Sequence, residues 1–269
     1  MFQITILLSY LVAGAAFACS RLERFVSHSQ AFLFAAVLLG LAGLVGHTAG
    51  LWTDILAGEG LSLTLADAAS FIGLQLALIA LLGALDAPLR GMSAALLALA
   101  GLAAALTGTG TPPVEQPDPV SWQLKAHVLI SLFAYGLLTV GAIVAIYALM
   151  QDRRLRSATL SPASKLFAPL ETTEKLLFSI TTAGFAILAI AVVSGLAFVD
   201  NLFAQHLVHK TALSLVALLL FGVLLAGRRF AGWRGRRAIY LYLWGFAVLG
   251  LAYFGSRYVL EYVLGRTWG

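Results

Sequence analysis

Long apolar stretches, separated by short polar segments, make up most of this chain. An α-helix needs about 20 apolar residues to cross the hydrocarbon core of a bilayer. By this criterion the pattern predicts about eight spanning helices, which gives an all-α, polytopic membrane helix bundle. The predicted spans cover residues 1–18, 31–46, 65–85, 91–106, 126–150, 176–199, 207–226 and 238–256.

Prolines mark the predicted boundaries of two helices. The segment TPPVEQPDPVSW contains Pro112, Pro113, Pro117 and Pro119, and lipid offers no partner for backbone that proline leaves unpaired, so we predict a solvent-side loop. Pro169 is expected to begin the sixth helix, because proline is preorganised for a first helical turn. We expect a single transmembrane domain over residues 1–269, with four helices in 1–123 and four in 124–269.

The composition is that of a protein embedded in lipid. Hydrophobic residues make up 61% of the chain and charged residues 11%, whereas soluble domains have about 25% charged residues. The net charge of +5 does not indicate nucleic-acid binding, because the basic residues lie between apolar runs. The single cysteine, Cys19, excludes an internal disulfide, a paired-cysteine metal site and a C-x-x-C-H haem attachment. Arg21 and Arg24 follow the first apolar run instead of preceding it, which argues against a signal peptide ending at Cys19.

Lysine and arginine residues divide unequally between the two sets of loops. Thirteen of the seventeen lie in the first, third, fifth and seventh loops, and Lys125, Lys210, Arg257 and Arg266 lie on the opposite side. The positive-inside rule places the richer set in the cytoplasm. We therefore predict that both termini are outside, on the periplasmic side of a bacterial inner membrane.

Four of the five histidines are predicted to lie near the outer face. His47 ends the second span, His127 opens the fifth, and His206 and His209 open the seventh, whereas His28 lies on the inner side. A titratable group at membrane depth is costly unless it faces the bundle interior or a cavity, so these imidazoles are functional candidates.

Polar residues recur at helical spacing next to these histidines. His206, His209 and Lys210 stand at i, i+3 and i+4, which places them on one helical face. A second set recurs every four residues and predicts a polar ridge on an apolar helix. It consists of His127, Ser131, Tyr135 and Thr139.

Haem is the cofactor that this set of histidines suits best. Neutral imidazole ligates haem iron, zinc and copper, but no cysteine or clustered carboxylate completes a zinc site, and apolar walls for a macrocycle are abundant. The haem propionates would seek cations at the polar rim, where Lys125, Lys210 and Arg257 are predicted to lie. The alternative interpretation is that histidines and lysines only snorkel to the interface and that Arg257 pairs with Glu261.

Residues 124–260 carry a family resemblance. The run HVLISLFAYGLLTVGAIVAIYAL resembles the histidine-opened helix of the cytochrome c assembly family, the CcsA and CcmC type of haem-handling membrane proteins. The run SGLAFVDNLFAQHLVHKTALS stands where that family has its periplasmic tryptophan-rich loop, and GWRGRRAIYLYLWGFAVLGLAYFGSRYVL follows it. The sequence is most similar to the YpjD-like branch of the family.

The resemblance implies haem-handling roles for particular residues. His127 matches the outer histidine that ligates haem iron in full-function members, and His47 corresponds to a histidine at the outer end of an earlier helix. The chain lacks the tryptophan-rich signature, which LFAQHLVHK replaces, and the stretch around Glu261 replaces the late histidine. Both departures argue against direct haem ligation to apocytochrome. Apart from the resemblance, we consider His206 or His209 as a second axial ligand.

The sequence thus predicts a non-enzymatic inner-membrane protein that binds or passes haem b at its periplasmic face and assists cytochrome c biogenesis. His127, with His47 or His209, would hold the iron, and basic residues such as Lys210 and Arg257 would hold the propionates. Expected partners are membrane lipid, other cytochrome c assembly proteins or apocytochrome c, and no nucleic acid. Two alternatives stay open: a regulator of haem biosynthesis acting through the cytoplasmic loop of residues 153–175, and a transporter accessory protein.

Overall fold

All regular secondary structure in the described residues is helical. The computed structural model describes residues 2–53, 65–106, 121–156, 169–198 and 205–252. Short 3₁₀ turns at Glu23–His28 and Ala87–Leu89 lead into the second and fourth helices. The α-helices in these residues are α1 (Phe2–Cys19), α2 (Ser29–Leu51), α3 (Leu65–Gly83), α4 (Arg90–Ala104), α5 (Trp122–Arg156), α6 (Leu170–Phe198), α7 (Gln205–Ala231) and α8 (Arg236–Gly250).

The predicted all-helical membrane architecture is confirmed. Within the part of the chain that the structure describes, seven helices, α1 to α7, are long and apolar enough to cross a membrane. The described 15 residues of α8 rise only about 22 Å, less than the hydrocarbon thickness of about 30 Å. Residues 253–256 of the predicted eighth span lie outside the described residues, and the orientation of the termini stays a prediction.

The helices on either side of the fifth loop extend further than the apolar pattern indicated. The prediction that α6 begins near Pro169 is confirmed, because α6 starts at Leu170 and the Thr173 N–H donates to the Pro169 carbonyl at 3.1 Å. The predicted apolar limits of 150 for α5 and 176 for α6 were too short, because polar residues at helix ends do not register as apolar span. The last turn of α5 is basic and includes an Arg156–Asp152 ion pair at 3.1 Å.

The described helices form two compact units. The first comprises residues 1–121 and 151–173, and the second comprises residues 122–150 and 174–269. In the first unit α1 packs against α2 and α4, and α3 packs against α4 and α2. Small residues permit these approaches: a Cβ on Gly14 would lie 2.9 Å from the Ala94 carbonyl oxygen, and one on Gly73 would lie 2.5 Å from the Ala103 Cβ.

A buried tyrosine organises the core of the second unit. The Tyr242 hydroxyl on α8 donates to the Leu138 carbonyl on α5 at 2.7 Å, and its ring meets Phe221 of α7 edge-on at 5.2 Å between centroids. The hydroxyl end lies directly against Gly141, and Leu138 lies against Gly184 of α6. Tyr242 therefore joins α5, α7 and α8 through one side chain whose polar atom is satisfied by backbone.

Replacing Gly141 with Ala should destabilise the second unit. The added Cβ would collide with the hydroxyl end of Tyr242, which its hydrogen bond to Leu138 holds in place. Overpacking of this kind costs about 1–3 kcal/mol. We expect a lower apparent melting temperature for the detergent-purified protein in a thermal-shift assay.

Gly222→Ala is the matched control, because its Cβ would lie at an ordinary contact distance of 3.4 Å from Phe185. This variant should have the same apparent melting temperature as the parent protein. A Gly141→Ala protein as stable as the parent would show that the Tyr242 hydroxyl does not pack against this glycine.

Candidate functional site

The structure describes the predicted site residues to different extents. The side chains of His47 and His127 are described in full, and Lys210 is half-buried on α7. His206 and His209 lie in the first turns of α7, where the structure describes the backbone but not their side chains. Arg257 lies outside the described residues altogether.

His127 lies in the second turn of α5 and contacts the end of α6. Its Nδ1 lies 2.9 Å from the Ser194 hydroxyl oxygen, and the imidazole is half-buried. Both residues belong to the second unit. The predicted outer histidine is thus tied to a neighbouring helix through one ring nitrogen.

The partners of Ser194 decide which nitrogen of His127 carries the proton. The Ser194 hydroxyl lies 2.9 Å from the Ala191 carbonyl, and a carbonyl only accepts, so the single hydroxyl proton is donated there. With its proton given to Ala191, the Ser194 oxygen accepts from His127, which favours the tautomer with the proton on Nδ1. Nε2 therefore carries the lone pair, and it has no hydrogen-bond partner among the residues that the structure describes.

A glycine holds the other edge of the same ring. A Cβ on Gly195 would lie 2.9 Å from Cε1 of His127 and 3.5 Å from Nε2, so only a residue without a side chain lets the imidazole lie this close to α6. Ser194 and Gly195 together fix the ring's tautomer and its position. Sequence reasoning missed both, because no local spacing links residues so far apart in the chain.

His47 occupies a closed environment in the first unit. Its side chain is fully buried, Nε2 lies 2.8 Å from the Ser70 hydroxyl, and Nδ1 lies 3.4 Å from the Tyr10 hydroxyl. Tyr10 also meets the imidazole ring edge-on, with centroids 5.9 Å apart. Both nitrogens are engaged, so ligation of iron by His47 would require one of these hydrogen bonds to be replaced. Through them His47 joins α1, α2 and α3.

The ridge predicted on α5 splits into separate contacts. Thr139 donates to the Tyr135 carbonyl at 2.9 Å, which satisfies it within its own helix. The Tyr135 ring packs on Phe246 of α8 at 5.9 Å between centroids. Of this set, His127 supplies the imidazole nitrogen that is a candidate ligand. No group of three or more histidine, cysteine or acidic side chains that could hold a metal occurs among the described residues.

Known proteins resemble this chain over much of its length. A family model described as "Cytochrome C assembly protein" matches residues 35–264. The inner membrane protein YpjD of Escherichia coli K12 is 35% identical over 140 residues, which are 52% of this chain and 53% of that protein. An Azospirillum brasilense protein, "Uncharacterized 28.8 kDa protein in nifR3-like 5'region", is 30% identical over 156 residues, 57% of each chain. No solved structure shows a significant match.

The family assignment follows from the extent of the model match. The chain spans about half the length of the curated relatives it matches, whereas the family model covers most of the chain. The matched region contains His47 and His127, together with the Ser194 and Gly195 contact. The described residues of this chain contain seven candidate spans, and a relative is named as an inner membrane protein. The chain is therefore a multi-pass protein of the inner membrane. This chain belongs to the cytochrome c assembly protein family.

Proposed function

We propose that this protein handles haem b and assists cytochrome c biogenesis, holding the iron through Nε2 of His127. One observation carries the proposal: the Ser194 contact keeps the proton on Nδ1 and leaves the Nε2 lone pair for a metal. Metal-ligating histidines in proteins usually donate their other ring N–H to an oxygen acceptor in this way. Membership of the cytochrome c assembly family supports haem as the guest.

The residues around His127 fit a haem ligand better than those around His47. A macrocycle needs an apolar wall, and α5 and α6 are apolar along most of their length. His47 would have to give up Ser70 or Tyr10, so we assign it to holding three helices together. His127 Nε2 would hold the iron of a bound haem, which would act as the acceptor of the nitrogen lone pair.

A second histidine ligand for the iron is proposed on α7. This helix begins at Gln205, and residues 199–204 join it to the end of α6 that contains Ser194, so both lie at one end of the second unit. His206 and His209 lie in its first turns. We propose one of them as the second ligand, with Lys210 and Arg257 as cations for the propionates.

Transfer would proceed by ligand exchange. Ser194 and Gly195 orient the His127 ring and hold its proton on Nδ1 whether or not Nε2 is bound. Ligands of an acceptor such as apocytochrome c, or of another assembly protein, would replace the imidazole without proton transfer at this residue. The protein would act as an assembly factor and not as an enzyme.

His127→Ala should remove most of the haem from the protein. The purified full-length chain in mild detergent should show a haem b band in a reduced-minus-oxidised spectrum, quantified as the pyridine haemochrome. His28→Ala is the control, because His28 is exposed and its Nδ1 hydrogen-bonds to the hydroxyl of the neighbouring Ser27. Unchanged haem absorbance in His127→Ala would refute the ligand role of His127. A parent protein without haem would favour the alternative function, a regulator of haem biosynthesis.

Ser194→Ala should weaken haem binding without abolishing it. The variant removes the acceptor from His127 Nδ1, and the loss of such a partner typically costs 10–100-fold in metal affinity, by order of magnitude. Gly195 still holds the imidazole against α6 in this variant, so we expect the lower end of this range. Haem titration monitored by absorbance measures the change.

Thr182→Ala is the control for this variant. Thr182 is an exposed residue of the same helix whose hydroxyl donates to the Phe178 carbonyl, four residues earlier. Equal affinities for the two variants would indicate that Ser194 does not orient the ligand.

The proposed haem face is the periplasmic face, on the evidence of the basic-residue distribution. In a Cys19→Ser background, a membrane-impermeant maleimide applied to intact spheroplasts should label Thr53→Cys at the end of α2. It should not label Ser27→Cys at the opposite end, which is also exposed. The reverse labelling pattern would invert the topology.

A further inference from the structure

The turn between α7 and α8 concentrates positive charge in a few residues. Residues 228–237 contain five arginines, namely Arg228, Arg229, Arg234, Arg236 and Arg237. Among the described residues, Glu174 of α6 is the acidic side chain with a hydrogen bond to this turn, where it accepts from the Gly235 N–H at 2.8 Å. A strong positive excess remains.

Internal contacts fix the shape of this turn. Gly232 and Gly235 both have φ of +63°, which favours glycine. The Trp233 N–H donates to the Gly227 carbonyl at 3.0 Å, and Arg228 Nη1 donates to the Trp233 carbonyl at 3.2 Å. Arg237 stacks over the Trp233 ring at 4.1 Å. Two of the arginines are thus used to build the turn.

Two other arginines remain available to a ligand. Arg229 and Arg234 are exposed and make no hydrogen bond or ion pair with any described residue. Each guanidinium presents five N–H donors in a planar fork that matches the oxygens of a phosphate. Their backbone is held by the helix end and the turn, so both side chains start from fixed positions on the same turn.

An open apolar groove lies along the same helix. It has a volume of about 490 Å³ and is lined by Leu219, Gly222, Val223 and Ala226 of α7 and by Phe185 of α6, among others. Gly222 opens its floor, since a Cβ there would reach only to van der Waals contact with Phe185. The groove has the character of an acyl-chain site because its walls are aliphatic and aromatic.

The groove leads towards the arginines. Arg229 and Phe230 follow Ala226 by three and four residues, which places both on the helical face that lines the groove. Phe230 is 86% exposed, as expected for a side chain that faces lipid. Because α7 is a spanning helix that ends at Ala231, the turn lies where hydrocarbon meets headgroups.

We propose that this face of the second unit binds one anionic phospholipid. Arg229 and Arg234 hold its phosphate, and the groove between α6 and α7 receives an acyl chain. Charge complementarity selects an anionic headgroup over a zwitterionic one, whose ammonium group cancels the attraction. The apolar groove for an acyl chain distinguishes this site from a site for free phosphate. The lipid proposal does not depend on haem binding.

Native mass spectrometry of the full-length protein in mild detergent tests the headgroup site. The probes are phosphatidylglycerol and phosphatidylcholine with identical acyl chains. We expect one phosphatidylglycerol to be retained in preference to phosphatidylcholine. Each of Arg229→Gln and Arg234→Gln should weaken that binding about fivefold, and the double variant about 25-fold.

Arg153→Gln is the matched control, because Arg153 is an exposed arginine in the last turn of α5, away from the turn between α7 and α8 in sequence. It should leave phosphatidylglycerol binding unchanged. An equal loss in Arg153→Gln, or equal retention of the two lipids by the parent protein, would show only diffuse charge attraction and overturn the proposal.

Filling the groove tests the acyl-chain site. Gly222→Leu should lower phosphatidylglycerol retention, and Ala226→Leu, on an exposed position, does the same if Gly222→Leu fails to fold. Millimolar inorganic phosphate should compete poorly with the lipid. If phosphate displaces it fully and neither variant lowers retention, the arginines form a simple anion site and the lipid proposal is wrong.

Discussion

Polar groups carried into a membrane must find their partners inside the protein, and this constraint governs both candidate histidines whose side chains are described. His47 meets it completely, since Ser70 and Tyr10 engage both of its nitrogens. His127 meets it at one nitrogen, because Ser194 and Ala191 fix the proton on Nδ1 and leave Nε2 with a lone pair. The same rule thus gives one histidine that joins helices and one whose free lone pair is the basis of the proposed ligand role.

Close approach of the helices and placement of the site have a common cause. Helices in lipid gain little from burying apolar surface against each other, so their contacts depend on small residues that let backbones come near. Gly195 is such a residue on α6, and the surface it exposes is covered by the His127 ring. Packing of α5 on α6 therefore positions the proposed ligand, and a change in either helix would move the imidazole.

Hydrophobic periodicity predicted the helices well and the site only in part. A long apolar run can satisfy its backbone in lipid only as a helix, which is why the spans could be predicted. The polar ends of α5 and α6 were missed because polar residues do not count as apolar span. His127 could be found because a histidine at the edge of a span is conspicuous. Ser194, Gly195 and Ser70 could not, since serine and glycine are ordinary in membrane helices and their roles arise from contacts distant in sequence.

Because α7 is one continuous helix, the positions of its two ends are coupled. Its 27 residues rise about 40 Å, with His206 and His209 in the first turns and Arg228 and Arg229 in the last. Basic residues at a helix C-terminus complement the helix dipole, and cationic and aromatic anchors set how deep a spanning helix sits. A rigid helix held at one end cannot shift independently at the other. Under the lipid proposal, anchoring of the arginine end at a headgroup layer would therefore fix the depth of the histidines proposed as second ligand.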